Sequence, residues 1–239
     1  MGTLVNVTTV VVGSLLGLAL GSRLSERTSG TVTDVLGLVT LVIGALSLRP
    51  MLSETLNGAV GHGAVLVVVL LAMMAGALTG SALRLEERLD QLGNWARRRA
   101  GSGDHRFADG FVTATLVFCV GPLTILGSLS EGLGRGAEQI YVKAVLDGFA
   151  SIAFASSLGI GVLASAAGVA VIQGGLTLVG YLLGDVVPAA QIDALTVAGG
   201  IILLGLGIRL LGLKEIRVAD LLPSLFFAPL FVWIAGWFA

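Results

Sequence analysis

Long apolar stretches, each interrupted by only a few polar residues, alternate with short charged segments along the whole chain. Several of these stretches approach the ~20 residues that an α-helix needs to cross the hydrocarbon core of a bilayer. The pattern predicts eight spans, near residues 4–22, 31–48, 63–83, 108–128, 140–159, 161–184, 191–212 and 219–238. The fifth and sixth are divided at Gly159-Ile160-Gly161, with Ser165-Ala166-Ala167-Gly168 as the alternative turn; either choice keeps the count at eight. The expected fold class is therefore all-α, a polytopic membrane protein forming one transmembrane domain over residues 1–239.

Composition strengthens that reading. The 239 residues are 55% hydrophobic and only 12% charged, about half the charge of an ordinary soluble domain. Glycine, at 35 residues, is abundant, as close helix packing in lipid favours. Charge is unevenly distributed. The segments after spans one, three and seven hold eleven basic residues, among them Arg23, Arg27, Arg84, Arg97, Arg98, Arg99, Arg209 and Arg217. The other side has Arg49 and Arg135, with Lys143 in or beside span five. By the positive-inside rule both termini lie outside the cytoplasm. Span one lacks a basic start, contains Asn6 and is long for a cleaved signal, so it is read as a true span.

Two repeats run through the apolar segments. Asp109-Gly110-Phe111 is followed, 12 residues after the aspartate, by Gly121-Pro122; Asp147-Gly148-Phe149, 38 residues on, is followed at the same distance by Gly159-Ile160-Gly161. Each copy places a carboxylate ahead of a helix breaker. In opposed helices this is the pattern of a broken-helix inverted repeat. Asn6 precedes Gly13-Ser14-Leu15-Leu16-Gly17 as Gln173 precedes Gly180-Tyr181-Leu182-Leu183-Gly184, and Gly37 and Gly44 parallel Gly200 and Gly207. Spans four-one-two-three then correspond to five-six-seven-eight, with repeat elements at 1–128 and 138–239 and broken helices in spans four and five.

The polar groups inside spans define a candidate site. Asp147 stands in an apolar setting where an ionised group is costly unless paired or hydrated. Lys143, one helical turn earlier, is placed to pair with it. The competing account is a structural pair that anchors span five. Asp109 is either the cytoplasmic counterpart of Asp147 or a cap at the start of span four. Backbone groups freed at Gly121, Pro122, Gly159 and Gly161 must face protein or a water-filled cavity. Ser151 and Ser156 are placed to join them, and Asn6 and Gln173 either line the same cavity or form interhelical hydrogen bonds. Paired packing kinks are the alternative. Cys119, the single cysteine, is read as a small packing hydrophobe.

Enzyme chemistry has little support. His62 and His105 are the two histidines and fall in loops on opposite sides. No phosphate loop, nucleophile elbow, Rossmann fingerprint or cysteine–histidine cluster appears, so no catalytic residue and no cofactor are expected. Arg97-Arg98-Arg99 suits orientation and anionic headgroups, not nucleic acid.

Gly2-Thr3-Leu4-Val5-Asn6-Val7 with Val12-Gly13-Ser14-Leu15-Leu16-Gly17 resembles the opening of a bacterial integral-membrane family of unknown function, number 554. Phe118-Cys119-Val120-Gly121-Pro122, Lys143-Ala144-Val145-Leu146-Asp147-Gly148, Gly159-Ile160-Gly161-Val162 and Gln173-Gly174 carry the same resemblance, which runs from residue 2 to about 210. It implies a polytopic inner-membrane protein and no particular substrate. One short motif around Asp147 is also similar to small manganese-exporter-type proteins; no metal is assigned from it.

The expected function is a membrane transporter or channel for a small ion or solute, in the bacterial inner membrane. Its partners are the lipid bilayer, the solute and, where subunits assemble, a second copy of the chain. The alternative is a non-transporting scaffold or accessory subunit, with a dry centre and Asp147 fully paired.

Overall fold

The computed structural model describes residues 1–21, 26–61, 63–99, 106–120, 122–134, 136–183 and 188–237. The helices are, in order, α1 (Gly2–Gly21), α2 (Glu26–Leu46), α3 (Glu54–Val60), α4 (Val65–Leu83), α5 (Leu85–Arg99), α6 (Phe107–Val120), α7 (Pro122–Gly132), α8 (Glu138–Leu158), α9 (Gly161–Leu183), α10 (Ala189–Leu210) and α11 (Ser224–Ala235). Short 3₁₀ turns lie at Arg49–Leu52 and Val218–Leu221, and no strand occurs among the described residues. Among the described residues seven helical segments are long and apolar enough to cross a membrane, and the bent pair α6–α7 makes eight if it counts as one span. The protein is an all-helical, polytopic membrane protein.

The chain divides into two compact units, residues 1–38 with 89–185, and residues 39–88 with 186–239. In the first, the helices are built for lipid and not for water. α1 buries Gly2, Asn6, Gly13, Ser14 and Gly17 while Leu4, Val12, Leu15, Leu16 and Leu20 face outward. α8 likewise exposes Val142, Val145, Leu146 and Phe149 and buries Lys143, Asp147 and Ser151. Lipid tails solvate leucine as well as a protein core does, so small residues that permit close approach go inside.

Glycines fix the helix directions. A Cβ at Gly13, Gly17 or Gly21 would collide with the carbonyls of Gly148, Ile152 and Ser156 respectively. The rising order on both sides shows that α1 and α8 run parallel. Gly161 meets Phe107, Gly168 meets Thr115 and Gly180 meets Leu129, so α6 and α7 together run parallel to α9. Against α8 the order reverses: Gly110 faces Leu158, Phe118 meets Phe154 edge-on at 6.0 Å, and Gly127 faces Ile140. α6 and α7 therefore traverse the full length of both neighbours, although bent by 70° at the break. They form one broken span.

The second expected break differs. α8 runs without interruption from Glu138 to Leu158, and Gly159, at φ 81°, is the turn that leads into α9. Span five is thus continuous. The physical reason is where the Asp-Gly-Phe motif sits. Asp109 lies two residues past the start of α6, whereas Asp147 lies in the middle of α8. The same spacing then carries the breaker to mid-span in one copy and to the helix end in the other.

In the second unit α10 is the central helix, the most buried of the candidate spans. It packs with α3, α4 and α11 around an apolar core that includes Leu56, Val69, Ala72, Ala194, Val197 and Val232. Gly44 of α2 and Gly200 of α10 touch: a Cβ on Gly200 would lie 2.8 Å from the Gly44 carbonyl. At one end of the unit Glu86 pairs with Arg209 and accepts a hydrogen bond from the Ala219 amide at 2.8 Å. The Glu86 amide donates to Asp220 Oδ1 at 3.0 Å. These bonds gather the ends of α4 and α10 and the 3₁₀ turn before α11 on one side.

Candidate functional site

The first unit contains a continuous chain of polar side chains, buried at Lys143, Asp147, Asn6 and Gln173 and half-buried at Thr3, Thr177 and Glu131. Lys143 of α8 pairs with Asp147 Oδ2 one turn later. Asn6 of α1 donates through Nδ2 to Asp147 Oδ2 at 3.0 Å and to Gln173 Oε1 of α9 at 2.8 Å. Gln173 Nε2 donates to the Thr3 hydroxyl at 3.3 Å, and Thr3 donates onward to Glu131 Oε2 of α7 at 2.8 Å. Thr177 also meets the Thr3 hydroxyl, at 3.2 Å. Asn6 and Gln173 are fully buried, and Lys143 and Asp147 retain only 4% and 8% of their exposure. Three helices and the second half of the broken span contribute.

The local sequence explains why these residues meet. Asn6 follows the α1 face already occupied by Gly2, Val10 and Gly13, so parallel packing on α8 carries it to Asp147. α9 runs antiparallel to α1, which brings Thr177 to Thr3 and Gln173 to Asn6. Glu131 caps the first turn of α1, accepting from the Gly2 amide at 2.6 Å and the Thr3 amide at 3.1 Å, and it also pairs with the Met1 amino group. A carboxylate suits those otherwise orphaned donors and the positive end of the helix dipole.

The break between α6 and α7 lies at the depth of this cluster, because Phe118 packs at Phe154 and Gly127 at Ile140, above and below Asp147 on α8. The Thr124 hydroxyl donates to the Phe118 carbonyl at 2.7 Å, satisfying one acceptor that the break frees. Cys119 is also buried. Asn6 Oδ1 and the hydroxyls of Ser14, Thr115 and Ser128 are buried without a hydrogen-bond partner among the described residues.

Of the residues singled out from the sequence, Asp147, Lys143, Asn6 and Gln173 come together. Ser151 is adjacent, donating to the Asp147 carbonyl at 2.6 Å. Pro122 begins α7, and Gly121 falls outside the described residues. The remaining residues lie elsewhere. Asp109 is exposed in the first turn of α6. Gly159 forms the turn after α8, Gly161 opens α9 against the start of α6, and Ser156 donates to the Ala153 carbonyl at 2.8 Å. That turn sits at the end of the unit, so the two expected breaks do not meet. Thr3, Thr177 and Glu131 were missed by sequence reasoning. Glu131 had a usable signal, an acid at the very end of an apolar span, but its partner on α1 is 128 residues distant.

The model of one protein family, described as protein of unknown function DUF554, matches residues 1–233. This chain belongs to that family. The uncharacterized membrane protein YdfK of Bacillus subtilis is 28% identical over 233 residues, covering 98% of this chain and 96% of its own length. The uncharacterized protein YqgA of Escherichia coli is 30% identical over 245 residues, covering 100% and 99%. No solved structure matches the chain. DUF554 membership thus extends over the whole polar chain from Thr3 to Gln173.

Proposed function

We propose that this protein is a transporter or channel for a small ion or solute, with its site at the Lys143–Asp147–Asn6–Gln173 cluster. The observation that carries the reading is the buried polar cluster of Lys143, Asp147, Asn6 and Gln173, at the depth of the break between α6 and α7. A packed membrane bundle needs no such cluster, because polar and charged groups at this depth cost free energy that apolar packing would avoid. A break in the backbone beside them supplies a place for the helices to part.

The inverted repeat is part of this proposal. One pair that the sequence aligns as equivalents, Asn6 with Gln173, touches across the antiparallel helices α1 and α9 within the first unit. Equivalent residues meet in this way when they lie on a two-fold axis in the membrane plane. The Asp109–Asp147 correspondence is not part of it, since the two aspartates lie at different depths. The chain acts without enzymatic chemistry, cofactor or nucleic acid, in the bacterial inner membrane with both termini outside the cytoplasm, alone or as a homo-oligomer.

A second reading, a non-transporting scaffold or accessory subunit, draws on the pairing of Asp147 with Lys143 and Asn6. The test is flux in proteoliposomes containing wild type or Asp147→Asn, against salts and small organic solutes. Transport predicts a flux above empty vesicles that Asp147→Asn abolishes. A scaffold predicts no flux and only a less stable variant.

A further inference from the structure

The hydrogen bonds that the central cluster leaves unused point to the class of solute, on the proposal that this cluster is a transport site. Lys143 carries three N–H donors. One goes to Asp147 Oδ2; the others meet no acceptor among the described residues. Asp147 receives both its bonds on the same oxygen, Oδ2, which leaves Oδ1 without a hydrogen bond among the described residues. Asn6 spends both its amide donors, on Asp147 and Gln173, and its Oδ1 is buried with no donor to it among the described residues. The cluster thus offers spare donors on a cation and spare acceptors on an anion and an amide, one helical turn apart.

Its charge constrains the ligand further. Lys143 and Asp147 sum to zero, and α1 and α9 contribute no charged side chain. Glu131, the nearest other carboxylate in the hydrogen-bonded chain, is separated from Asp147 by Thr3, Gln173 and Asn6 and is occupied with the start of α1. A lone cation or anion entering here would leave one net charge buried at membrane depth. An uncharged solute that parts Lys143 from Asp147 would leave two charges compensated only by neutral dipoles.

We propose that the site takes a small zwitterion of amino-acid type. Its ammonium is received by Asp147 Oδ1 and Asn6 Oδ1 and its carboxylate by the free donors of Lys143, so the ion pair exchanges partners and the site stays neutral throughout. Gln173 holds Asn6 so that its Oδ1 remains available, which makes Gln173 a positioning residue.

The test uses the full chain. Unfolding midpoints in neutral detergent are measured with the common amino acids and γ-aminobutyrate, against sodium acetate, ammonium chloride and acetamide at matched concentration. At least one zwitterion should raise the midpoint in a concentration-dependent way, while acetate, ammonium and acetamide do not. That rise should vanish in Asn6→Ala and in Lys143→Met. The same labelled zwitterion should accumulate by counterflow in wild-type proteoliposomes, several-fold above empty vesicles. If a variant fails to fold, wild-type counterflow and its competition by unlabelled amino acids still decide the matter. Flux or stabilisation by a lone ion or by acetamide, with none from any zwitterion, overturns the zwitterion and leaves a transporter. Absence of every shift and every flux overturns both.

Discussion

Asn6 of α1 and Gln173 of α9 share a 2.8 Å hydrogen bond although 167 positions separate them, and Asn6 uses its other amide proton on Asp147. One side chain therefore ties three helices together at the point where the polar chain meets the buried ion pair. Asn6→Ala should lower stability by about 1–3 kcal/mol, since it leaves Gln173 and Asp147 each short of a donor. In a double-mutant cycle with Gln173→Leu the coupling should be about 0.6–2 kcal/mol, the range of interhelical hydrogen bonds in membranes. Reversible unfolding in mixed micelles measures both, and additive losses would show that the two amides act independently.

Lys143 and Asp147 should behave as a unit. Removing either alone, by Lys143→Met or Asp147→Leu, leaves a buried charge unpaired and should cost about 3–5 kcal/mol. Removing both together should recover most of that loss while abolishing transport. Comparison of unfolding midpoints with flux in the same three variants separates the structural contribution of the pair from its functional one.

The glycines of the chain should divide sharply by contact. Gly13→Val and Gly17→Val drive side chains into the carbonyls of Gly148 and Ile152, where only backbone is available to move. These variants should lose at least about 1–3 kcal/mol, as overpacked sites do, and elute as aggregates in size-exclusion chromatography. Gly174→Ala and Gly175→Ala meet open space within 4 Å and should elute as wild type does.

Glu131 anchors the first turn of α1 from the far end of the broken span. Glu131→Gln removes the charge that faces the Gly2 and Thr3 amides and should cost about 1 kcal/mol, the usual scale of a helix cap. Hydrogen exchange should quicken at the first turn of α1 while the region around Ala155 stays protected. Uniform loss of protection would instead make Glu131 part of the global core.

Membrane orientation is open to direct measurement. In a Cys119→Ser background, Glu138→Cys should react with an impermeant maleimide in intact cells, and Trp95→Cys only after the membrane is breached. The reverse pattern would invert the proposed topology. Wild-type Cys119 is buried and should resist labelling in either case.

Much of this protein is legible in its sequence because lipid imposes a one-dimensional rule. A segment that crosses a bilayer must be long, apolar and helical, so the spans follow from hydropathy, and seven of them coincide with helices found by length and composition. The broken span was legible too, since Pro122, which begins α7, lacks the amide N–H that would continue α6. Asp147 and Lys143 stood out because an ion pair inside an apolar helix is a local anomaly, visible one turn apart. What tertiary structure alone decided is depth and partnership. The Asp-Gly-Phe motif recurs faithfully, yet α8 begins nine residues ahead of its copy and α6 only two, so Asp147 is buried at mid-helix and Asp109 is exposed at an end. Asn6 met Gln173, and Thr3 met Glu131, only because α1 lies parallel to α8 and antiparallel to α9. No local pattern encodes that choice, because a hydrogen bond across 128 residues depends on how whole helices pack, and small residues permit close approach without naming the neighbour.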